Sequence, residues 1–234
     1  MKKTWFGAFA LLFLMSFCAV AFGDNIAELK KKAQTGDADA QALLVNKYAI
    51  GGELPRSLPE AAKWYRMAAD QGNPDAQIKL AMMYEGGLGL AANYPEAISW
   101  YEKAALQGNT SAQQRLAMFY LSGTHVEKNI KQAIKWYQMA AEAGLPKAQV
   151  QLGQIYLQGV DEVPRDYGQA MKWFRKAAEM GDPDGEFSLG SMYQQGLGVP
   201  ENLPEAIAWY TRASKDGQVQ APIALRSLGV APGK

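Results

Sequence analysis

Few side chains in this sequence could carry out catalysis or hold a metal ion. The chain has one histidine, His125, and one cysteine, Cys18. A Ser-His-Asp or Cys-His catalytic group needs a histidine next to its nucleophile, and a zinc site needs several histidine or cysteine ligands. His125 follows a glycine-containing turn in a predicted loop and is interpreted as an ordinary surface residue. We therefore expect a protein that is not an enzyme and that has no cofactor and no metal.

Two further patterns resemble ligand sites only in part. Asp161, Glu162 and Asp166 could hold calcium weakly, although a solvated loop is the better interpretation. The segments GGLGLAAN and QGLGVPEN resemble phosphate loops, but they lack the Lys-Ser/Thr ending and the preceding strand of a nucleotide site. A carboxylate-only hydrolase remains an alternative by spacing alone, yet no pattern places two acids together in a pocket.

The composition excludes general disorder and a nucleic-acid partner. Apolar residues make up 48% of the chain and aromatic residues 11%, more than disordered chains contain. The formal net charge is +1, from 24 basic and 23 acidic residues. Without Lys2 and Lys3 the balance becomes 22 basic against 23 acidic residues, a net charge of about −1. The chain therefore lacks the basic surface that nucleic acid requires.

Residues 1–23 are predicted to be a secretory signal peptide. Lys2 and Lys3 precede a long apolar stretch, and both Ala19-Val20-Ala21 and Ala21-Phe22-Gly23 fit the small-x-small cleavage rule. Two alternatives remain open. The apolar stretch is about long enough to span a bilayer as an uncleaved anchor, and Cys18 could be lipidated, although the preceding Phe17 is unlike such sites. We expect a periplasmic or secreted protein with no cysteine in its mature form.

An internal repeat is the strongest signal in the sequence. Beyond the leader, successive tryptophans are separated by 36, 36, 37 and 36 residues. A tyrosine column has nearly the same period, with a leucine four residues before each tyrosine and a glycine three residues after it. The tryptophans are Trp64, Trp100, Trp136, Trp173 and Trp209. A fixed period of this length is typical of stacked repeats.

Each repeat is predicted to contain two helices. In the first repeat these run from Ala38 to Ile50 and from Leu58 to Gln71, because apolar residues recur at helical spacing in both segments. An alanine lies three residues before every repeat tryptophan, and small side chains let helices approach while the large ring fills the remaining space. The Trp-Tyr pairs are therefore interpreted as core, and sugar stacking as the weaker alternative.

The two ends of the array are predicted to be capping half-repeats. Residues 25–35 resemble a second helix without its tryptophan, and residues 219–228 resemble a lone first helix. Terminal units of repeat proteins need such atypical faces because one side has no neighbour. We predict one array over residues 24–228, a disordered tail over residues 229–234, and a monomer.

The repeat is similar to the Sel-1-like repeat, a relative of the tetratricopeptide repeat. The segment ISWYEKAALQGNTSAQQRLAMFYLSG carries the family pattern, and the main departures are Phe174, the pair Gly185-Glu186 and Ser214. The resemblance implies an all-α fold, a right-handed α/α superhelical solenoid. It also implies an adaptor or regulator that binds proteins. Some similar secreted proteins carry a disulfide in each repeat, and this chain lacks those cysteines.

The candidate binding surface is a stripe on the first helices, which line the concave side of such superhelices. Its positions lie five and two residues before the tyrosine column, off the core face, and vary between repeats. Cationic and methionine side chains at these positions favour an acidic or C-terminal peptide segment as the bound part of the partner. The alternatives are a solvated helix face, the convex side or the loop edge. The predicted partner-binding residues are Lys79, Met82, Arg115, Met118, Gln151 and Gln154.

These observations predict an exported scaffold or adaptor that presents a preformed surface to a segment of another protein. A regulator or inhibitor of a cell-envelope enzyme acting on peptidoglycan is one alternative. A secreted factor that engages host proteins is another. No feature of the sequence names the partner.

Overall fold

The computed structural model describes residues 25–231. They form an all-α structure whose one departure is an isolated β-bridge between Val160 and Val163. The chain divides into two compact units, the first ending at Trp100 and the second beginning at Tyr101. No described helix has both the length and the apolar character needed to cross a membrane. The predicted signal peptide, residues 1–23, lies outside the described residues.

Five helix pairs follow one another along the chain, as the repeat predicts. The first helix of each pair is here called the A helix and the second the B helix. The A helices are α2 (Ala38–Ile50), α4 (Pro74–Gly86), α6 (Thr110–Ser122), α8 (Pro146–Gln158) and α10 (Pro183–Gln195). The B helices are α3 (Leu58–Asp70), α5 (Tyr94–Leu106), α7 (Ile130–Glu142), α9 (Tyr167–Glu179) and α11 (Leu203–Lys215). Before them, α1 covers residues 25–34, and after them comes α12 (Ala221–Ser227).

Side-chain caps and proline set where the helices begin. The Asn73 side chain accepts the backbone N–H of Ala76 at 2.9 Å, and Pro74 occupies the first position of α4. A proline at this position costs no helical hydrogen bond, because the first N–H groups of a helix have no acceptor within the helix. Asp37, Asn109 and Asp182 cap other A helices in the same way. The helix starts therefore follow from residues visible in the sequence.

Leucine, alanine and tryptophan build the core of both units. The five leucines of the A helices and the alanines three residues before each tryptophan have no exposed surface. Trp64, Trp100, Trp136 and Trp173 are buried. Trp209 is half-buried, and its indole N–H donates to Glu205 Oε1 at 3.1 Å. The predicted core role of the tryptophans is confirmed for the first four and is only partial for the last.

Glycines on the A helices of the second unit allow an unusually close approach of aromatic rings. A Cβ added at Gly190 would lie 2.7 Å from the Tyr210 ring, and one at Gly153 would overlap the Phe174 ring. Phe174 is fully buried between α8 and α9, in the core cluster that includes Val150 and Ala170. The ring therefore occupies the space that a side chain at Gly153 would need.

A ladder of buried glutamines ties four of the five A helices to the helix that precedes each of them. The amide Nε2 of each glutamine donates to the backbone carbonyl eight residues earlier, at 2.9 to 3.2 Å. Those carbonyls lie in the last turn of a helix, and each also accepts the backbone N–H of the glycine three residues later, at 3.0 to 3.2 Å. The donors are Gln41, Gln77, Gln113 and Gln149, and the acceptors are Ala33, Ala69, Ala105 and Ala141. We call this set the glutamine ladder.

The tyrosine column lies at the edge of the core rather than inside it. Tyr48 is buried, whereas the other four tyrosines of the column are half-buried. The hydroxyls of Tyr84, Tyr120 and Tyr193 contact the residue two positions after the preceding tryptophan, as in the hydrogen bond of 2.9 Å that Arg175 donates to Tyr193. Tyr120 donates to Glu102 at 3.3 Å. The column therefore supports the helices through both its ring and its polar end.

The segment predicted as a disordered tail begins with residues that close α12. Gly229 has φ of 76°, and its N–H donates to the Arg226 carbonyl at 3.0 Å. The N–H of Val230 donates to the Leu225 carbonyl at 2.9 Å, and the Val230 side chain packs beside buried Leu225. This is a glycine cap with its usual hydrophobic contact, so ordered structure continues to Val230.

Replacing Gly153 with alanine should destabilise the second unit. The added methyl group overlaps the Phe174 ring, and overpacking of this kind costs about 1–3 kcal/mol. Gly168→Ala, at an exposed position of α9, is the control, because a Cβ there meets only an Asp166 oxygen at 3.3 Å. Urea unfolding followed by circular dichroism should show a lower midpoint for Gly153→Ala alone. Equal midpoints for both variants would contradict the close packing.

Candidate protein-binding grooves

The six predicted partner-binding side chains all lie on A helices and are accessible to solvent. Lys79 and Met82 are exposed on α4, in the first unit. In the second unit, α6 carries exposed Met118 and half-buried Arg115. The same unit carries half-buried Gln151 and Gln154 on α8. Three of them, Lys79, Met118 and Gln151, line one of the two grooves described below, and the other three do not.

The second-unit groove is a cleft of about 400 Å³ that runs across α6 and α8 to the start of α10. It contains two residues of the predicted stripe, Met118 and Gln151, while Arg115 and Gln154 lie outside its lining. Sequence reasoning missed most of the others, which come from different faces and elements. The lining residues are Gln114, Met118, Leu121, Ser122, Tyr137, Lys147, Val150, Gln151, Asp182 and Asp184.

The floor of the second-unit groove is apolar. Met118 is 44% exposed, a large fraction for an apolar side chain of its size in a structure where most are buried. Leu121 and Val150 lie beside it, and Tyr137 of α7 closes the groove from below. Tyr137 is 1% exposed, and burial raises the pKa of its hydroxyl to about 12. The phenol therefore stays neutral at any physiological pH.

Charged and amide side chains form the rim of the second-unit groove. Lys147 and Asp184 are exposed, and among residues 25–231 neither takes part in an ion pair. Asp182 caps α10, and its carboxylate accepts the backbone N–H of Gly185 at 2.9 Å. Asp184 accepts a hydrogen bond from Gln218 at 3.3 Å. The rim thus offers one cation and two carboxylates around an apolar floor.

Arg115 is turned toward its own helix. Its guanidinium carbon lies 5.0 Å from the centre of the Phe119 ring, one turn further along α6. A cation over an aromatic face is held there by electrostatic attraction. Met118 lines the second-unit groove and Arg115 does not, and the predicted role of Arg115 in partner binding stays a prediction.

The first-unit groove has the same size, about 400 Å³, and lies between α2 and α4. Lys79 is the one predicted partner-binding residue that lines it, and Asn46, two residues before Tyr48, is a further stripe position in the lining. Tyr65 takes the place that Tyr137 has in the second unit, and burial likewise raises the pKa of its hydroxyl. The lining residues are Ala38, Gln41, Ala42, Val45, Asn46, Tyr65, Ala68, Asn73, Asp75, Ala76 and Lys79.

The two grooves occupy equivalent positions in the repeat but present different side chains. Positions separated by 72 residues, two repeats, line both grooves at five places. The tyrosine is kept, while Asn46 corresponds to Met118 and Asp75 corresponds to Lys147. The other pairs are Ala42 with Gln114 and Lys79 with Gln151. Packing fixes the place of the groove, and the repeat-specific side chains give each groove its own chemistry.

The acidic loop residues considered for calcium have structural partners. Asp161 forms an ion pair with Lys128 at 2.9 Å, and Glu162 lies 3.8 Å from Lys131. Asp166 caps α9 by accepting the N–H of Gln169 at 2.9 Å. Residues 25–231 contain no cluster of three His, Cys, Asp or Glu side chains that could hold a metal ion.

The glycine-rich loops serve close packing. Gly198 has φ of 74°, and a Cβ added to it would lie 2.8 Å from Tyr167 at the start of α9. Gly89 lies equally tightly against Leu58 at the start of α3. The loop of one repeat therefore rests on the B helix of the repeat before it, and this contact explains the pattern that resembles a phosphate loop.

Repeated helix pairs with grooves between their A helices define a helical-repeat protein. The sequence profile of the Sel1 repeat matches residues 38–73, 74–109, 110–145, 146–182 and 183–218. The chain belongs to the Sel1 repeat family, which confirms the predicted resemblance. Proteins of this family generally serve as scaffolds for protein–protein interaction.

Two similar crystal structures come from bacteria. One is c5321, described as a protective antigen present in uropathogenic Escherichia coli strains and displaying an SLR fold. It is 37% identical, with a TM-score of 0.79, over 89% of this chain and 45% of that chain. The other is a Sel1 repeat protein from Oxalobacter formigenes. It is 34% identical, with a TM-score of 0.70, over 87% of this chain and 58% of that chain. The chain thus spans about half the length of these relatives, and no curated protein gives a significant match.

Tyr137 should titrate late while the protein remains folded. The buried phenol has a pKa of about 12 instead of about 10. Subtracting the ultraviolet titration curve of Tyr137→Phe from that of the wild type should leave one tyrosine with its midpoint near pH 12. Circular dichroism at each pH identifies the range in which the helices persist. A difference curve centred near pH 10 with intact helices would mean that the groove floor is open to water.

Proposed function

We propose that this protein is an exported scaffold that binds a segment of a partner protein in the second-unit groove. The observation that carries the proposal is the exposed Met118 above an apolar floor on the A-helix face. The general role of the Sel1 repeat family as protein-binding scaffolds supports it. A groove of about 400 Å³ is large enough for a few side chains of a peptide.

An apolar side chain of the partner is the expected anchor. It would lie on Met118, Leu121 and Val150, and the flexible thioether of Met118 adapts to side chains of different shape. Gln114 and Gln151 stand on neighbouring A helices, where their amides can donate to and accept from a peptide backbone. A buried apolar contact surrounded by polar contacts is the usual energetic arrangement of a protein interface.

The rim charges favour a partner segment with charges on both sides of its anchor. Lys147 would pair with a carboxylate, in keeping with the acidic peptide expected from the sequence. Asp182 and Asp184 would favour a basic residue at the end of the segment that lies over α10. Charges at a rim act mainly on specificity and on the rate of association.

The place of action is proposed to be the periplasm or the cell exterior. The lysines, apolar stretch and cleavage pattern of residues 1–23 support export. The similarity to a protective antigen of uropathogenic E. coli also supports an exposed location. That similarity favours, as a second candidate, a secreted factor that engages host proteins through the same groove.

Replacing Met118 with glutamate should abolish most binding without unfolding the protein. Peptides would be selected from a phage-displayed library on the mature wild-type protein, and their affinities measured by calorimetry. A charge placed on the groove floor should weaken binding at least about tenfold, or about 1.4 kcal/mol.

Leu106→Glu is the matched control, because Leu106 is an exposed apolar residue of α5 outside both grooves. It should leave the affinities unchanged. Equal losses in both variants, or a library that yields no peptide on the wild type, would contradict the proposed site.

Lys147→Glu should discriminate between peptides by their charge. Selected peptides that contain aspartate or glutamate should lose affinity, and uncharged ones should change little, since only the former lose an attractive partner. The loss should shrink at high salt, because exposed charges are screened. Identical changes for acidic and uncharged peptides would remove Lys147 from the recognition surface.

A further inference from the structure

The first-unit groove has no apolar platform like that of the second-unit groove. Four of its lining residues are alanines, and its one larger aliphatic side chain, Val45, is 5% exposed. Where the second-unit groove presents Met118, the first-unit groove presents the amide of Asn46. A partner that binds in the first-unit groove therefore has no surface for an apolar anchor, and polar contacts must supply most of its recognition.

Four polar side chains of this lining have no protein partner. Asn46, Tyr65, Asp75 and Lys79 take part in no side-chain hydrogen bond or ion pair among residues 25–231. Tyr65 is half-buried, and the other three are exposed. Burial raises the pKa of the Tyr65 hydroxyl, which keeps the phenol neutral. Asp75 and Lys79 are the two charged residues of the lining, so these two set its charge preference.

The spacing of the two charges matches an extended peptide. Asp75 and Lys79 lie four residues apart on α4. Residues at this spacing share one face of a helix and lie about 6 Å apart along its axis. Side chains two residues apart in an extended peptide also share a face, about 6.6 to 6.8 Å apart. A basic and an acidic residue with one residue between them therefore fit both charges.

The attraction between Asp75 and Lys79 themselves does not prevent this fit. Both side chains are exposed, and an ion pair between exposed residues one helical turn apart is weak. The charges of a bound peptide can therefore replace it.

The two grooves carry opposite charges at one equivalent position. Asp75 stands where the second-unit groove has Lys147, and Lys79 stands where that groove has the uncharged Gln151. A basic residue at the first of these positions is attracted by Asp75 and repelled by Lys147. Repulsion of the wrong partner contributes to specificity alongside attraction of the right one. A segment that suits one groove at this position therefore does not suit the other.

We propose that the first-unit groove is a second peptide site, which binds an extended partner segment with a basic residue at Asp75 and an acidic residue at Lys79. Asn46 lines the groove from α2, and its amide can donate to and accept from the backbone of the segment. The small alanine side chains leave room for that backbone. This site goes beyond the proposed function, because it needs neither Met118 nor the second unit.

Nuclear magnetic resonance of the mature chain with blocked alanine pentapeptides tests the proposal. The matched probe has lysine at its second position and glutamate at its fourth, and two mismatched probes have lysine or glutamate at both positions. The matched probe should shift the backbone amide resonances of Asn46, Asp75 and Lys79. It should bind about tenfold more tightly than either mismatched probe, because each mismatch replaces an attraction with a repulsion.

The same spectra keep the two grooves apart. The resonances of Met118 and Gln151 report binding in the second-unit groove, so failure of the proposed function and failure of this proposal are distinguishable.

Charge reversal on α4 should change the preferred probe while the helices persist in circular dichroism. Asp75→Lys should favour the probe with two glutamates, and Lys79→Glu should favour the probe with two lysines. Lys31→Glu is the matched control, because Lys31 is an exposed residue of α1 outside the groove lining. It should leave the order of the three affinities unchanged.

Several results would overturn the proposal. Absence of shifts at Asn46, Asp75 and Lys79 with every probe would mean that this face is only solvated. Equal affinity for all three probes, or an order that the α4 variants do not alter, would remove the two charges from recognition. Equal shifts from free lysine and free glutamate would replace the peptide by small ions. Shifts of these resonances on dilution without peptide would place a second copy of this chain in the groove.

Discussion

The packing of aromatic rings against alanine and glycine is the interaction on which the rest of the structure depends. The alanine before every repeat tryptophan is fully buried, and Gly153 and Gly190 leave room for the rings of Phe174 and Tyr210. This packing sets the distance between the two helices of a pair. The loops, caps and glutamine ladder then place one pair on the next. Because packing occupies the aromatic faces of the core, the proposed binding uses side chains that packing leaves accessible to solvent.

Much of the fold could be predicted because the same pattern of residues recurs in each of the five repeats. The first repeat was predicted as helices over 38–50 and 58–71, and the structure gives Ala38–Ile50 and Leu58–Asp70. The tyrosine column was harder, since periodicity shows that a residue is needed without showing how deeply it is buried. The glutamine ladder also had a visible signal, a glutamine at a fixed position on an apolar face. Its backbone acceptors, however, appear only when one repeat is placed against another.

The candidate site could be predicted only in part, and the reason is geometric. The variable positions of the A helices correctly indicated accessible residues such as Met118 and Gln151. A groove, however, is formed by several elements, and Tyr137, Lys147 and Asp184 come from helix faces and helix starts that a single stripe does not include. Arg115 was placed in the site by its charge and spacing, but the neighbouring Phe119 ring holds its guanidinium. Spacing along a helix therefore does not show which neighbouring side chain a residue contacts.

The central claim is that the A-helix face of the second unit binds a partner while the B helices maintain the packing. Hydrogen exchange measured by mass spectrometry, with and without a selected peptide, tests this claim most directly. Bound peptide should slow exchange in α6, in α8 and at the start of α10, and should leave the outer turns of α9 unchanged. Protection confined to the B helices or to the loops, with α6 and α8 unaffected, would contradict it.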